Sequence, residues 1–221
     1  TDGAGGVSWT TASYSGTGTV TLSACQNTSA GSAAGSSLQS TACGNAAYGF
    51  NALKLTSTGD FNTAIGGCAL DTNTTGSNST AVGYKALQSS TTSSYNTGVG
   101  GWALTLNTTG ANNTTVGYTA LYANTTGGQN TAVGRCALPA NTTGGNNTAS
   151  GNSSLKANTT GSYNTASGGY SLQSNTTSSY NTGLGYLTLY LNTTGCKNTA
   201  VGAKALDSNT TGQLNAAFGF N

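Results

Sequence analysis

Apolar and polar positions in this chain recur with a step of 17, longer than the period of either a helix or a strand. Gly returns every 17 residues from Gly49 to Gly219, and Leu does the same from Leu53 to Leu206. The repeated unit reads N-T-A-V-G-x-x-A-L-x-x-N-T-T-G-x-x and is complete in Asn130 to Asn146. The first Asn is counted below as position 1 and the invariant Gly as position 5. This order runs from about Asn45 to the last residue. Upstream, Asn27 to Gly31 with Ser37 and Leu38 reads as a decayed coil displaced by a one-residue slip. Val7 to Ser23 alternates like one or two ordinary strands. The chain therefore divides into an N-terminal β segment with a degenerate, capping coil (1–44) and a regular repeat (45–221), terminal solenoid units being commonly atypical.

A 17-residue unit is too short for a helix-turn-helix repeat, which takes about 33 residues. Its Thr, Val and Gly favour strand and turn over helix. The expected fold is all-β, a parallel β-solenoid (β-helix or β-roll) of about 11 coils. The position 5 Gly, and the Gly or Ser after each N-T-T, mark places where the backbone needs φ > 0 or where coils approach closely. Coils stacked about 4.8 Å apart put like residues over like, giving a rod of roughly 50 Å. Leu121 then lies on Leu138, Val116 on Val133 and Asn124 on Asn141. The Leu and Val columns are expected to form a thin core, with Ala103, Ala120 and Ala137 keeping the section narrow. Stacked Asn amides are expected to hydrogen-bond along the axis.

The variable positions carry the information about partners. At position 6 large rings often alternate with small residues, and after Gly101 and Gly169 the next residue, Trp102 or Tyr170, supplies the bulk. The series Phe50, Tyr84, Trp102, Tyr118, Tyr170, Tyr186 and Phe220 is expected to form an aromatic stripe, with Tyr95, Tyr163 and Tyr180 as a second series at position 17. An aromatic stripe along a rod reads as a lateral interface between subunits.

Composition removes several function classes. Only ten residues are charged, six basic and four acidic, so there is no basic patch for a phosphate backbone and nucleic acid is not an expected partner. No apolar run is long enough to span a membrane. The first residues do not form a signal peptide, which suggests a mature chain or one cut from something longer. His and Glu are absent, and the carboxylates are Asp2, Asp60, Asp71 and Asp207. Paired-carboxylate and His-based catalysis lack their parts, so no enzyme is expected. Calcium-binding solenoids place an Asp in each turn, which this one does not, and neither metal nor cofactor is expected.

Allowing for the slip, Cys25 and Cys43 share a slot in neighbouring coils and are the expected disulfide, implying an oxidising compartment. Cys68 and Cys136 share a slot four coils apart and cannot bridge within one rod; with Cys196 they are free thiols or intersubunit links. Asn73, Asn107, Asn124, Asn141, Asn158, Asn175, Asn192 and Asn209 each open an N-T-T acceptor for glycosylation, although the repeat itself generates the motif. Thr in these segments is the alternative target, for O-linked modification.

The motif N-T-A-V-G-x-x-A-L, in Asn130 to Leu138 and Asn198 to Leu206, resembles the head repeats of YadA-like trimeric autotransporter adhesins. It is also similar to the repeated shafts of phage tail-fibre-like proteins. The resemblance covers about four-fifths of the chain and implies a left-handed, commonly trimeric β-roll that serves attachment. The 17-residue unit, with its N-T-T-G arm, is longer than the usual adhesin coil. Three functions are therefore weighed: a structural subunit of an extracellular fibre, associating with copies of itself through the stripe and the solenoid ends; an adhesin or tail-fibre segment that binds a surface glycan; and, less favoured, an ice binder using Thr108, Thr125, Thr142 and Thr159. The expected location is extracellular, on a cell surface or a virion fibre.

Overall fold

A computed structural model of the chain describes residues 21–22 and 25–220. It is an all-β parallel solenoid of about 11 turns, with no helix among the described residues. Strand β1 is Thr21–Leu22, β2 is Thr28–Ala30 and β3 is Ala46–Tyr48. Strands β4 to β13 follow at 17-residue steps, from Thr63–Ile65 to Ala216–Phe218. Spatial order in the sheet equals chain order, so each coil stacks on the one before it. Register is in phase throughout, with Thr131 opposite Thr148 and Val133 opposite Ser150. The one-residue slip is present, since Thr28 pairs with Ala46, and the degenerate coil is thereby part of the same parallel ladder. Strand β1 instead runs antiparallel to β2, with Thr21 opposite Ser29. The rest of the strand expected over Val7 to Ser23 lies outside the described residues.

Only three residues per coil are strand, yet the axial ladder continues around the ring. In the coil Asn130 to Asn146, Thr131 N–H donates to Asn147 O (2.8 Å), Gly134 N–H to Val116 O (2.8 Å) and Cys136 N–H to Tyr118 O (3.0 Å). Leu138 N–H donates to Ser154 O (2.9 Å), Thr142 N–H to Thr159 O (2.8 Å) and Asn146 N–H to Gly128 O (3.1 Å). Turns close between these rungs. Ala137 N–H reaches Gly134 O at 3.3 Å and Asn141 N–H reaches Leu138 O at 3.4 Å. The Asn141 side chain closes a third turn through Nδ2 to Gly144 O at 2.9 Å. Backbone polar groups that a narrow rod buries are thus paired, as burial requires.

The corners take left-handed backbone. Gly134 has φ +130°, the value expected for the invariant Gly, and a Cβ there would lie 2.7 Å from the Gly151 carbonyl. Gly144 meets the other expectation: its Cβ would lie 2.3 Å from Gly161 O, so close approach of coils is what selects Gly. Positions 7, 9 and 17 also have positive φ without being Gly, as in Cys136 (52°), Leu138 (52°) and Asn146 (60°). Each such residue costs on the order of 1 kcal/mol, which the surrounding ladder must offset. The Leu conformation has a structural consequence, because the left-handed turn lets adjacent Ala137 and Leu138 both face inward, each fully buried.

The core differs from expectation at one column. Strand side chains alternate faces, and the middle residue of each strand points in, as Ala132 and Ala149 do. The third residue therefore points out, so the Val column does not line the core: Ile65, Val116, Val133 and Leu184 are exposed. The apolar core is one Leu column and two Ala columns. Much of the remaining interior is amide, interspersed with Ser and Thr such as Ser93, Thr105 and Thr115. Asn124 Nδ2 donates to Asn107 Oδ1 at 2.8 Å and Asn141 Nδ2 to Asn124 Oδ1 at 2.9 Å, the ladder expected along the axis. The position 1 Asn form a second ladder, in which Asn147 Nδ2 donates to Asn130 Oδ1 at 3.2 Å and to Gly161 O at 2.9 Å.

Candidate functional site

The residues proposed for contact are arranged on the outside of the rod. Phe50, Tyr84, Tyr118, Tyr186 and Phe220 at position 6 are exposed, as is Tyr170 at position 7, while Trp102 is half-buried. Glycines at position 6 lie against the ring of the next coil. A Cβ on Gly67 would lie 3.4 Å from the Tyr84 ring, one on Gly169 3.5 Å from Tyr186, and one on Gly101 3.7 Å from Tyr118. Each ring leans over the neighbouring coil, at distances of ordinary van der Waals contact that would admit a Cβ. Rings then meet across coils: Tyr84 and Trp102 pack edge to face at 5.5 Å, and Tyr170 and Tyr186 do so at 6.1 Å. Lys85 Nζ sits 4.6 Å from the Trp102 ring and 5.4 Å from the Tyr84 ring, a cation–π arrangement.

The second series at position 17 is also exposed. Tyr163 and Tyr180 stack in parallel at 5.0 Å with 2° between ring planes. Tyr95 stands between the Asn78 and Asn112 coils of that column and is 62% exposed.

Sequence reasoning missed the outward strand position. Tyr48, Ile65, Val116, Val133, Leu184 and Phe218 flank the position 6 rings across the invariant Gly and widen the stripe. A signal for this was present: position 3 stays small in nearly every coil, whereas position 4 ranges through Tyr, Ile, Val, Ser, Leu and Phe, a tolerance that a thin core does not allow.

The cysteines divide as their columns dictate. Cys25 and Cys43 form a disulfide with Cα atoms 4.5 Å apart, whereas Cys68, Cys136 and Cys196 are free and half-buried. Cys136 Sγ lies 3.3 Å from Thr119 Oγ1. Cys196 belongs to the same column, position 16, as the disulfide pair.

Two sets of candidate modification and contact residues are used internally instead. Asn73, Asn107, Asn124, Asn141, Asn158, Asn175 and Asn192 are fully buried, and Asn209 is half-buried. Their Nδ2 atoms are donors in the ladder, so the folded rod does not present these amides to a glycosyltransferase. Nor are the Thr hydroxyls named for ice binding free. Thr108 Oγ1 donates to Thr125 O and Thr125 Oγ1 to Thr142 O, both at 3.0 Å; Thr142 Oγ1 donates to Thr159 O at 3.1 Å and Thr159 Oγ1 to Thr176 O at 3.2 Å.

Among the described residues no three His, Cys, Asp or Glu gather as a metal site, and no helix is long and apolar enough to cross a membrane. No family model, curated protein or solved structure matches the chain.

Proposed function

We propose that the chain is a non-enzymatic structural subunit of an extracellular fibre, which associates laterally with copies of itself. The observation that carries this reading is the apolar stripe formed by positions 4, 6 and 7 on a rod with almost no charge. Lateral burial of Tyr84, Val116, Tyr118, Val133, Leu184 and Tyr186 removes exposed apolar area from water, the main driving force for association. Ten charged residues in 221 provide little repulsion against it. The Cys25–Cys43 disulfide supports an oxidising, extracellular setting.

Electron microscopy and sedimentation of the purified chain test the reading. Wild-type protein is expected to form filaments or laterally paired rods, and the Y84S/Y118S/Y186S variant to remain as single rods with an unchanged circular dichroism spectrum. A wild-type chain that stays monomeric at high concentration would sink it.

The Tyr84, Lys85, Trp102 group favours a second reading, an adhesin or tail-fibre segment that binds a surface glycan. That reading predicts a sugar that quenches or shifts Trp fluorescence, and a null glycan screen counts against it.

A further inference from the structure

Two positions of the unit are exposed in every described coil of the regular repeat, position 14 and position 17. They are a matched internal comparison, since both lie outside the strands and both face solvent throughout. Position 17 drifts freely, through Phe61, Asn78, Tyr95, Gln129, Lys197 and Leu214. Position 14 does not drift at all: Thr stands at all ten places, every seventeenth residue from Thr58 to Thr211.

The fold gives no account of this constancy. Position 14 has no positive φ, so the backbone does not restrict the residue type. Thr126 N–H donates to Thr142 O at 3.2 Å, a bond any residue except proline would make. The hydroxyls of the neighbouring position 13 column are consumed, Thr125 Oγ1 donating to Thr142 O at 3.0 Å. Those of position 14 make no hydrogen bond to protein. The outward Thr at position 2 differs, being on a strand, where β-branched residues are favoured, and half-buried in most coils. What remains constant at position 14 is an exposed, unengaged secondary hydroxyl, repeated about every 4.8 Å along one edge of the rod.

We infer that this Thr column is an O-glycosylation array, each Oγ1 carrying a neutral sugar. The transfer needs a sugar activated as a phosphate ester. Thr Oγ1 attacks the anomeric carbon, the new O–C bond forms as the bond from carbon to phosphate oxygen breaks, the phosphate leaves with that electron pair, and the hydroxyl proton passes to the transferase base. No oxidant or reductant is involved. Phosphorylation of the same hydroxyls fits poorly: each phosphate adds about 1.5 to 2 negative charges, at axial neighbours about 4.8 Å apart, and the whole chain holds six Lys and Arg. An ice lattice fits poorly too, because the other always-exposed column carries bulky, unlike side chains such as Tyr95, Tyr163 and Leu214. A sugar column supplies the hydration that the near absence of charge leaves unmet. It also keeps this edge out of lateral contacts, although the inference does not rest on the fibre reading.

Peptide mass spectrometry with electron-transfer fragmentation of protein isolated from its native source tests this. Peptides covering these residues are expected to exceed their polypeptide mass by multiples of a hexose or N-acetylhexosamine, to become one water lighter per site than the unmodified peptide after β-elimination, which converts glycosyl-Thr to dehydrobutyrine, and to carry the sugar at position 14. An unmodified mass, phosphate increments, or sugars confined to position 13, position 2 or Asn would each overturn the inference. A second measurement addresses a purely structural reason for Thr. Recombinant T109A/T126A/T143A is expected to melt at the temperature of its unmodified parent; a loss of several degrees would place the column in the fold and overturn the proposal.

Discussion

Ser90 occupies the coil next to Asn73 in the position 12 ladder, and Asn73 Oδ1 is consequently buried without a hydrogen-bond partner. Elsewhere in that ladder an Asn Nδ2 from the following coil fills this role, as Asn124 does for Asn107 at 2.8 Å. Ser90 is too short, and its Oγ pairs instead with Ser93 Oγ at 2.6 Å. An orphaned buried acceptor costs about 1 to 3 kcal/mol. The S90N variant is therefore expected to stabilise the rod by about 1 kcal/mol, read as a raised melting temperature. Asn175 coexists with Ser178 in a later coil, so Ser93 is no obstacle to the substitution. A lowered melting temperature would contradict the ladder account.

Truncating an intact rung has the opposite sign. Asn124 donates to Asn107 Oδ1 and Gly127 O and accepts from Asn141 Nδ2. In N124A two carbonyl oxygens lose a donor and one amide loses an acceptor, for an expected loss of about 2 to 4 kcal/mol. Hydrogen exchange should show the loss concentrated in the coils on either side, since solenoid units contact only their neighbours.

The reversal of the Val column is tested by a pair of substitutions. L121A removes a fully buried side chain and is expected to cost about 2 to 5 kcal/mol. V133S acts on an outward residue and is expected to stay within about 0.5 kcal/mol in the isolated rod. Equal losses in thermal unfolding would mean that both columns are core.

Glycine is required by geometry at some positions and not at others. G134A places a Cβ 2.7 Å from the next coil's carbonyl at φ +130°, and is expected to abolish the cooperative melt or lower it by more than 10 °C. G101A meets only the Tyr118 ring, at 3.7 Å, and is expected to fold normally.

Position 16 is a column in which adjacent cysteines bridge. Cys25 and Cys43 do so at a Cα separation of 4.5 Å, and Ser179 precedes Cys196 by one coil in the same column. S179C is expected to form a second disulfide under oxidising conditions, detected as two fewer reactive thiols than in its reduced form and a mass lower by two hydrogens. Cys68 and Cys136, four coils apart, are expected to remain reactive in the single rod.

The 17-residue step was enough to establish the solenoid, its in-phase register and its stacked Leu and Asn columns, because any chain that returns to the same place every coil must set like residues over like. The step of 18 at the first coil, and the slot shared by Cys25 and Cys43, were legible for the same reason. Which side of the wall each residue faces was not contained in that step. It depends on local backbone: the strand middle residue turns inward, so Val133 faces out, and a left-handed Leu138 lets Ala137 and Leu138 both face in. Burial likewise decided among chemically similar side chains. The amide of Asn124 and the hydroxyl of Thr125 are engaged in the ladder, while the hydroxyl of Thr126 is left in solvent. Period sets which residues stack; only the turns between rungs determine which stacks form the core and which the surface.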